Sequence, residues 1–347
     1  MDQLFRKSIV TIVLIFFANR VSIAAGANGT FPALFSFGDS ILDTGNNNNL
    51  QTLSKCNFPP YGMDFEGGKA TGRFCDGKIP SDLIASGLGI KDTLPAYLDG
   101  NLKTEDLPTG VCFASGGSGN DDTTARIQGV LTLSAQLGLF KEYIGKLRTS
   151  VGQQRADEII SNSLYLISSG NNDIAITYQS RRLEPFPLYA DQLVGWASNF
   201  LKSLYELGAR RVWVLSTLPL GCLPGARSAG GGPLRACEPL TNLNAQSFNS
   251  KLSSAVNSMK TTLPNSDIRF VDVYTPLLNI IQNPSSSGFV NVALGCCATG
   301  TVELGVLCNR FSQTCGNPST SVFWDAGHPT QKAYELVVSS ILQSNNA

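Results

Sequence analysis

The chain has 347 residues, 42% of them hydrophobic and only 15% charged, which is enough apolar material for the core of one large or two ordinary domains and marks a globular protein. Lysine plus arginine equals aspartate plus glutamate at 26 each, with no long basic run. A surface that tracks nucleic-acid phosphates is therefore excluded.

Arg6 and Lys7 precede an apolar run from Ile9 to Ala18, followed by Asn19-Arg20 and the small-residue end Ser22-Ile23-Ala24-Ala25. That order is a secretory signal peptide. The run of ten falls short of the roughly 20 residues that span a bilayer, and Arg20 interrupts any extension. The expectation is a cleaved leader over residues 1–25, a secreted, extracellular product and no transmembrane segment in the mature chain. Asn28-Gly29-Thr30 is an N-glycosylation sequon with Asn28 as acceptor, whereas the proline of Asn317-Pro318-Ser319 disqualifies that site.

No internal repeat and no long linker follows residue 30, so 26–347 reads as one domain. ALFSF at 33–37 is a short apolar run ending at Gly38-Asp39, as a buried strand would. LYLISSG at 164–170 ends in Asn171-Asn172-Asp173, VWVLST covers 212–217 and IRFVDVY covers 268–274. Between the second and third runs, Leu193, Trp196, Ala197, Phe200, Leu204 and Leu207 recur at helical spacing, with Gly208 as the stop. A further helix carries Leu252, Val256, Met259 and Leu263, and a last one begins near Pro329. Alternating strands and helices predict an α/β fold with a parallel sheet covered on both sides. Ligands then sit beyond the carboxyl ends of the strands, which places Ser40 and Asn172 on one rim.

Nine cysteines remain beyond the leader, at 56, 75, 112, 222, 237, 296, 297, 308 and 315. In a secreted chain they favour disulfides. A metal site around Cys296 to Cys315 is the rival reading, but it has no C-x-x-C pair and one histidine in the whole chain to draw on. Cys222 and Cys237 bracket a Gly/Pro-rich loop that a disulfide would staple; Cys112, inside VCFA, reads as a small buried residue. The complete pairing is not deducible from spacing.

His328, the only histidine, lies in WDAGHPT, three residues after Asp325. A serine is a poor nucleophile near neutral pH unless a base takes its proton, and imidazole titrates in the right range. Asp325 is placed to orient that imidazole and stabilise its cation. G-x-S-x-G is absent throughout, which removes the α/β-hydrolase signature. Ser40 remains, in FGDS just past a strand end. Gly116-Gly117 in CFASGGSG offers backbone N–H groups to a developing oxyanion, and the Asn172 side chain offers another. Each feature alone is equally a polar turn, and GNNNN at 45–49 is either a pocket rim or a polar loop.

FGDSILDTGNNNN, GVCFASGGSG, SSGNND and FWDAGHPT, in this order, resemble the sequence blocks of the plant GDSL esterase/lipases of the SGNH hydrolase superfamily. The resemblance runs from about Phe35 to the C-terminal helix and is strongest to an extracellular-lipase-like subset, which KCNFPPYG at 55–62 and GCCATG at 295–300 also resemble. It implies a flavodoxin-like three-layer α/β/α sandwich, Ser40 as nucleophile, His328 as base and Asp325 as orienting acid. It also implies an oxyanion hole from the Ser40 and Gly117 N–H groups and the Asn172 side chain. Ile41 stands where the family name has leucine, which leaves the nucleophile untouched. The implied activity is hydrolysis of lipid or cell-wall and surface acyl esters through an acyl-enzyme, with no metal and no organic cofactor. Acyl transfer through the same site and a silent binding protein of the same fold are the alternatives. Oligomeric state is not readable.

Overall fold

The computed structural model describes residues 31–298, 300–304 and 307–345; the leader and Asn28 lie outside the described residues. A parallel sheet in the order β1-β2-β3-β4 forms from Leu34–Gly38, Leu164–Ser168, Arg211–Leu215 and Asp267–Val271. All four strands fall on the apolar runs read from the sequence. The last ends at Val271, three residues earlier than IRFVDVY implies, because the chain turns at Asp272, whose carboxylate accepts the Thr275 N–H at the start of α9 (Tyr274–Gln282). Each residue of β1 and β2 is buried, as expected of strands covered on both faces.

Alternation along β1 shows the two coverings. Phe35 and Phe37 point to one face, where they meet Phe140 and Tyr143 of α3 (Leu133–Val151) and Phe200 of α6 (Phe186–Glu206) at ring separations of 5.2–5.7 Å. Fully burying each ring contributes roughly 1.5–3 kcal/mol. Ser36 points to the other face and bonds Ser81 of α1 (Pro80–Gly87) at 3.2 Å. On that face α1 packs against α10 (Gln331–Ser344), which also meets α9. On the first, α6 packs on α8 (Pro239–Thr262), which lies along β4. The result is a three-layer α/β/α sandwich. Shorter helices α2 (Asp122–Gln128), α4 (Gln153–Asn162), α5 (Tyr178–Ser180) and α7 (Pro224–Gly230) fill the connections.

The helical details differ from expectation at two points. Trp196 remains more than a third exposed on the outer edge of α6, since the helix buries the narrower stripe Leu193, Ala197, Phe200, Leu201 and Leu204. The last helix starts at Gln331 rather than Pro329, because the Thr330 side chain accepts the Ala333 N–H and caps it there. Two further strands, β5 (Asn291–Gly295) and β6 (Ser321–Phe323), form a small parallel pair.

Three disulfides join Cys222 to Cys237, Cys296 to Cys315 and Cys297 to Cys308, while Cys56, Cys75 and Cys112 are buried free thiols. The four cysteines from 296 to 315 are thus spent on one another. The Cys222–Cys237 closure spans 15 positions, and restricting such a loop in the unfolded chain stabilises by roughly 2–4 kcal/mol. Replacing both with serine is expected to lower unfolding stability by that amount in a denaturant titration, and peptide mapping without reduction should recover the pair joined; free thiols at both positions would contradict it.

Candidate active site

Gly38 ends β1 with φ 116°, and a Cβ there would lie 1.8 Å from the Ser168 carbonyl oxygen, so only glycine lets the chain turn this close to β2. The turn lifts Ser40 above the carboxyl end of the sheet. Asp39, completely buried beneath it, accepts hydrogen bonds from the Ile41 N–H at 3.1 Å, Ser168 Oγ at 3.1 Å and Asn171 Nδ2 at 2.9 Å. Burial pushes its carboxyl up to about 6, against the pull of these donors and of His328.

His328 enters from the loop between β6 and α10. Its Nε2 lies 2.8 Å from Ser40 Oγ, and its Nδ1 lies 2.8 and 2.9 Å from the two oxygens of Asp325. With Nδ1–H donating to the carboxylate, Nε2 is left to accept the serine hydroxyl. Asp325 is buried and also accepts the N–H groups of Gly327 and His328 at 2.8 and 2.9 Å, so the loop wraps its own acid. Burial alone would lower the His328 pKa, but the Asp325 charge and hydrogen bond, with Asp39 further off, outweigh it and raise it. Burial alone would raise the Asp325 pKa; the imidazole and the surrounding donors bring it below the usual range. Phe74 covers the imidazole, with ring centroids 5.2 Å apart.

The structure therefore brings Ser40, His328 and Asp325 into one hydrogen-bonded line. No described residue accepts a hydrogen bond from the Ser40 or Gly117 N–H, which leaves both donors available. Gly116 is different: its N–H is taken by Asp43 Oδ2 at 2.8 Å. Asn172 uses one of its amide protons on the Ser118 carbonyl at 2.8 Å, which fixes the side chain and leaves its second proton.

Several supporting residues were not read from the sequence. Asp43 gathers the Gly45, Asn46 and Gly116 N–H groups, and burial pushes its carboxyl up to about 6. Asn46 is fully buried and donates to the Cys112 and Ala114 carbonyls, while Asn47 donates to the Gly116 carbonyl. The GNNNN stretch is thus a clamp that ties the serine loop to the Gly117 loop. The sequence carries no signal for this, because the same run leaves Asn49 exposed, and only the fold shows which amides turn inward and must be paired. Tyr61 of KCNFPPYG also reaches the site, donating to Asp325 Oδ2 at 2.7 Å.

A serine, an imidazole and a carboxylate linked in this order above the carboxyl end of a parallel α/β sheet is the arrangement of a serine hydrolase. The family model of the GDSL-like lipase/acylhydrolases matches residues 34–341. The chain belongs to this family and is a carboxylic ester hydrolase. GDSL esterase/lipase At1g23500 of Arabidopsis thaliana is 54% identical over 90% of this chain and 88% of its own length. GDSL esterase/lipase At1g73610 of the same plant is 51% identical over 92% and 91%, and EXL3 is 49% identical over 90% and 86%. Among solved structures, an extracellular lipase from Streptomyces rimosus matches with a TM-score of 0.41 at 14% identity, covering 89% of this chain and 99% of that one.

Proposed function

We propose that the chain is a secreted serine esterase/lipase that hydrolyses acyl esters of lipids or of the cell wall and surface, through an acyl-enzyme on Ser40. The observation that supports this reading most is the unbroken line from Ser40 Oγ through His328 to Asp325, at 2.8–2.9 Å per link. As Oγ attacks the ester carbonyl carbon, His328 Nε2 takes the hydroxyl proton and Asp325 stabilises the imidazolium. The carbonyl oxygen gains the negative charge and turns to the N–H groups of Ser40 and Gly117 and the free amide proton of Asn172. The imidazolium then protonates the departing alcohol. Water, activated by the same nitrogen, releases the acid and restores Ser40. Secretion rests on the leader pattern and on the three disulfides, and Asn28 is its glycosylation site.

A fluorophosphonate probe is expected to label the purified protein at Ser40 and to leave Ser40→Ala unlabelled. A protein that hydrolyses esters but resists the probe would overturn the mechanism. Esters of graded acyl length, with Ser40→Ala as the blank, then define the substrate, and added alcohol acceptors separate hydrolysis from acyl transfer by the products formed.

A further inference from the structure

We propose that Tyr61 is a positioning residue of this site: its hydroxyl, held on Asp325 Oδ2, fixes the carboxylate's orientation and tempers its pull on the His328 proton. The inference rests on the reading of His328 as base. Asp325 Oδ1 is served by donors of its own loop, the Gly327 and His328 N–H groups and the imidazole. Those donors move with the carboxylate. Among the described residues, Oδ2 receives only the imidazole, at 2.9 Å, and Tyr61, 264 positions away in the chain, at 2.7 Å. Tyr61 is therefore, among the described residues, the side-chain reference from outside the loop against which the carboxylate is set.

The phenol is well placed to hold that reference. It is 3% exposed, and its ring lies edge-on to Phe58 and to Trp324, the residue before Asp325, at 5.5 and 6.1 Å. The next residue, Gly62, donates its N–H to the Cys75 carbonyl at 3.0 Å. Burial, then the Asp325 charge, push the phenol well above its ordinary range, so it stays protonated and keeps its proton for Asp325. Asp39 is the other charge facing His328. Cys56, Cys75, Tyr334 and Glu303 feel the Asp325 charge, but among the described residues only Tyr61 gives Asp325 a side-chain hydrogen bond from outside the loop.

A carboxylate that loses a donor carries less-stabilised charge and attracts the neighbouring imidazolium more strongly. Tyr61→Phe is thus expected to raise the His328 midpoint by roughly half to one pH unit. His328 is the chain's only histidine, so proton NMR of untagged protein reads that midpoint directly, without relying on activity. The acid limb of kcat/KM should move up with it. Placing 3-fluorotyrosine at 61, a stronger donor, should move both the other way, a reversal that loss of packing cannot produce. Tyr143→Phe removes another buried hydroxyl, one that donates to the Leu107 carbonyl, and should move neither. A His328 titration identical in wild type and Tyr61→Phe, or shifts of one sign for both position-61 variants, would overturn the proposal. A wild type whose imidazole titrates while no ester is turned over would instead overturn the functional reading.

Discussion

Ser40→Ala, His328→Ala and the double variant are expected to hydrolyse an activated ester at nearly the same residual rate, roughly 10⁴- to 10⁶-fold below wild type. The 2.8 Å contact between Nε2 and Oγ makes the imidazole useful only through the serine. Once the hydroxyl is gone, the base has no proton to take, so removing it costs nothing more. Independent contributions would multiply. The proposed oxyanion donors would need no nucleophile, and a residue of roughly 10³-fold over the uncatalysed rate is expected to survive in all three variants. The measurement is kcat/KM for one ester after each variant is shown to be folded. A double variant much slower than either single one would break the pairing.

Asp325→Asn is expected to lower kcat by roughly 10⁴-fold while moving the acid limb of the residual activity to lower pH. The amide keeps the shape of the side chain but removes the charge, and its NH₂ no longer enforces a proton on Nδ1. Nε2 is then protonated in a large share of molecules and cannot accept from Ser40. The sign of the pH effect follows from the charge. In wild type the Asp325 carboxylate favours the imidazolium and raises the His328 pKa. With His328 as the proposed base, activity requires the neutral ring, so the wild-type rate is expected to fall as pH drops through that raised value. Without the carboxylate the ring stays neutral to lower pH, with only Asp39 still pulling upward. An acid limb that stays where it was would count against Asp325 as the tuner and leave His328 in place.

The strands β1, β2 and β3 were legible because each is a short, predominantly apolar run with a polar or glycine stop, as burial on both faces demands, and β4 because Ile268 and Val271 still mark a run although Asp267 and Arg269 leave it half-buried. β5 and β6 were not: NVALG is only half-buried and SVF is three residues long, too little for any period to show. Ser40, Asp325 and His328 each sit at an element boundary, where a catalytic group can be held by rigid neighbours and still be reached. The residues that brace them are a different matter. Asp39, Asp43, Asn46 and Tyr61 are buried polar groups whose partners lie as far as 264 positions away. Nothing local distinguishes such a residue from one in a solvated turn. Only the closed fold supplies the partner.

The two halves of the site are maintained by different means. Ser40 stands on the main sheet, where apolar burial on both faces provides the cohesion. Asp325 and His328 follow β6, whose backbone is gripped by Cys296 and Cys297: their N–H groups donate to the Phe323 and Trp324 carbonyls at 2.9 and 2.6 Å. Those two cysteines are each the start of a covalent ring, one closing at Cys315 and the other at Cys308. The two rings therefore brace the backbone that presents Asp325 and His328, as the sheet braces Ser40.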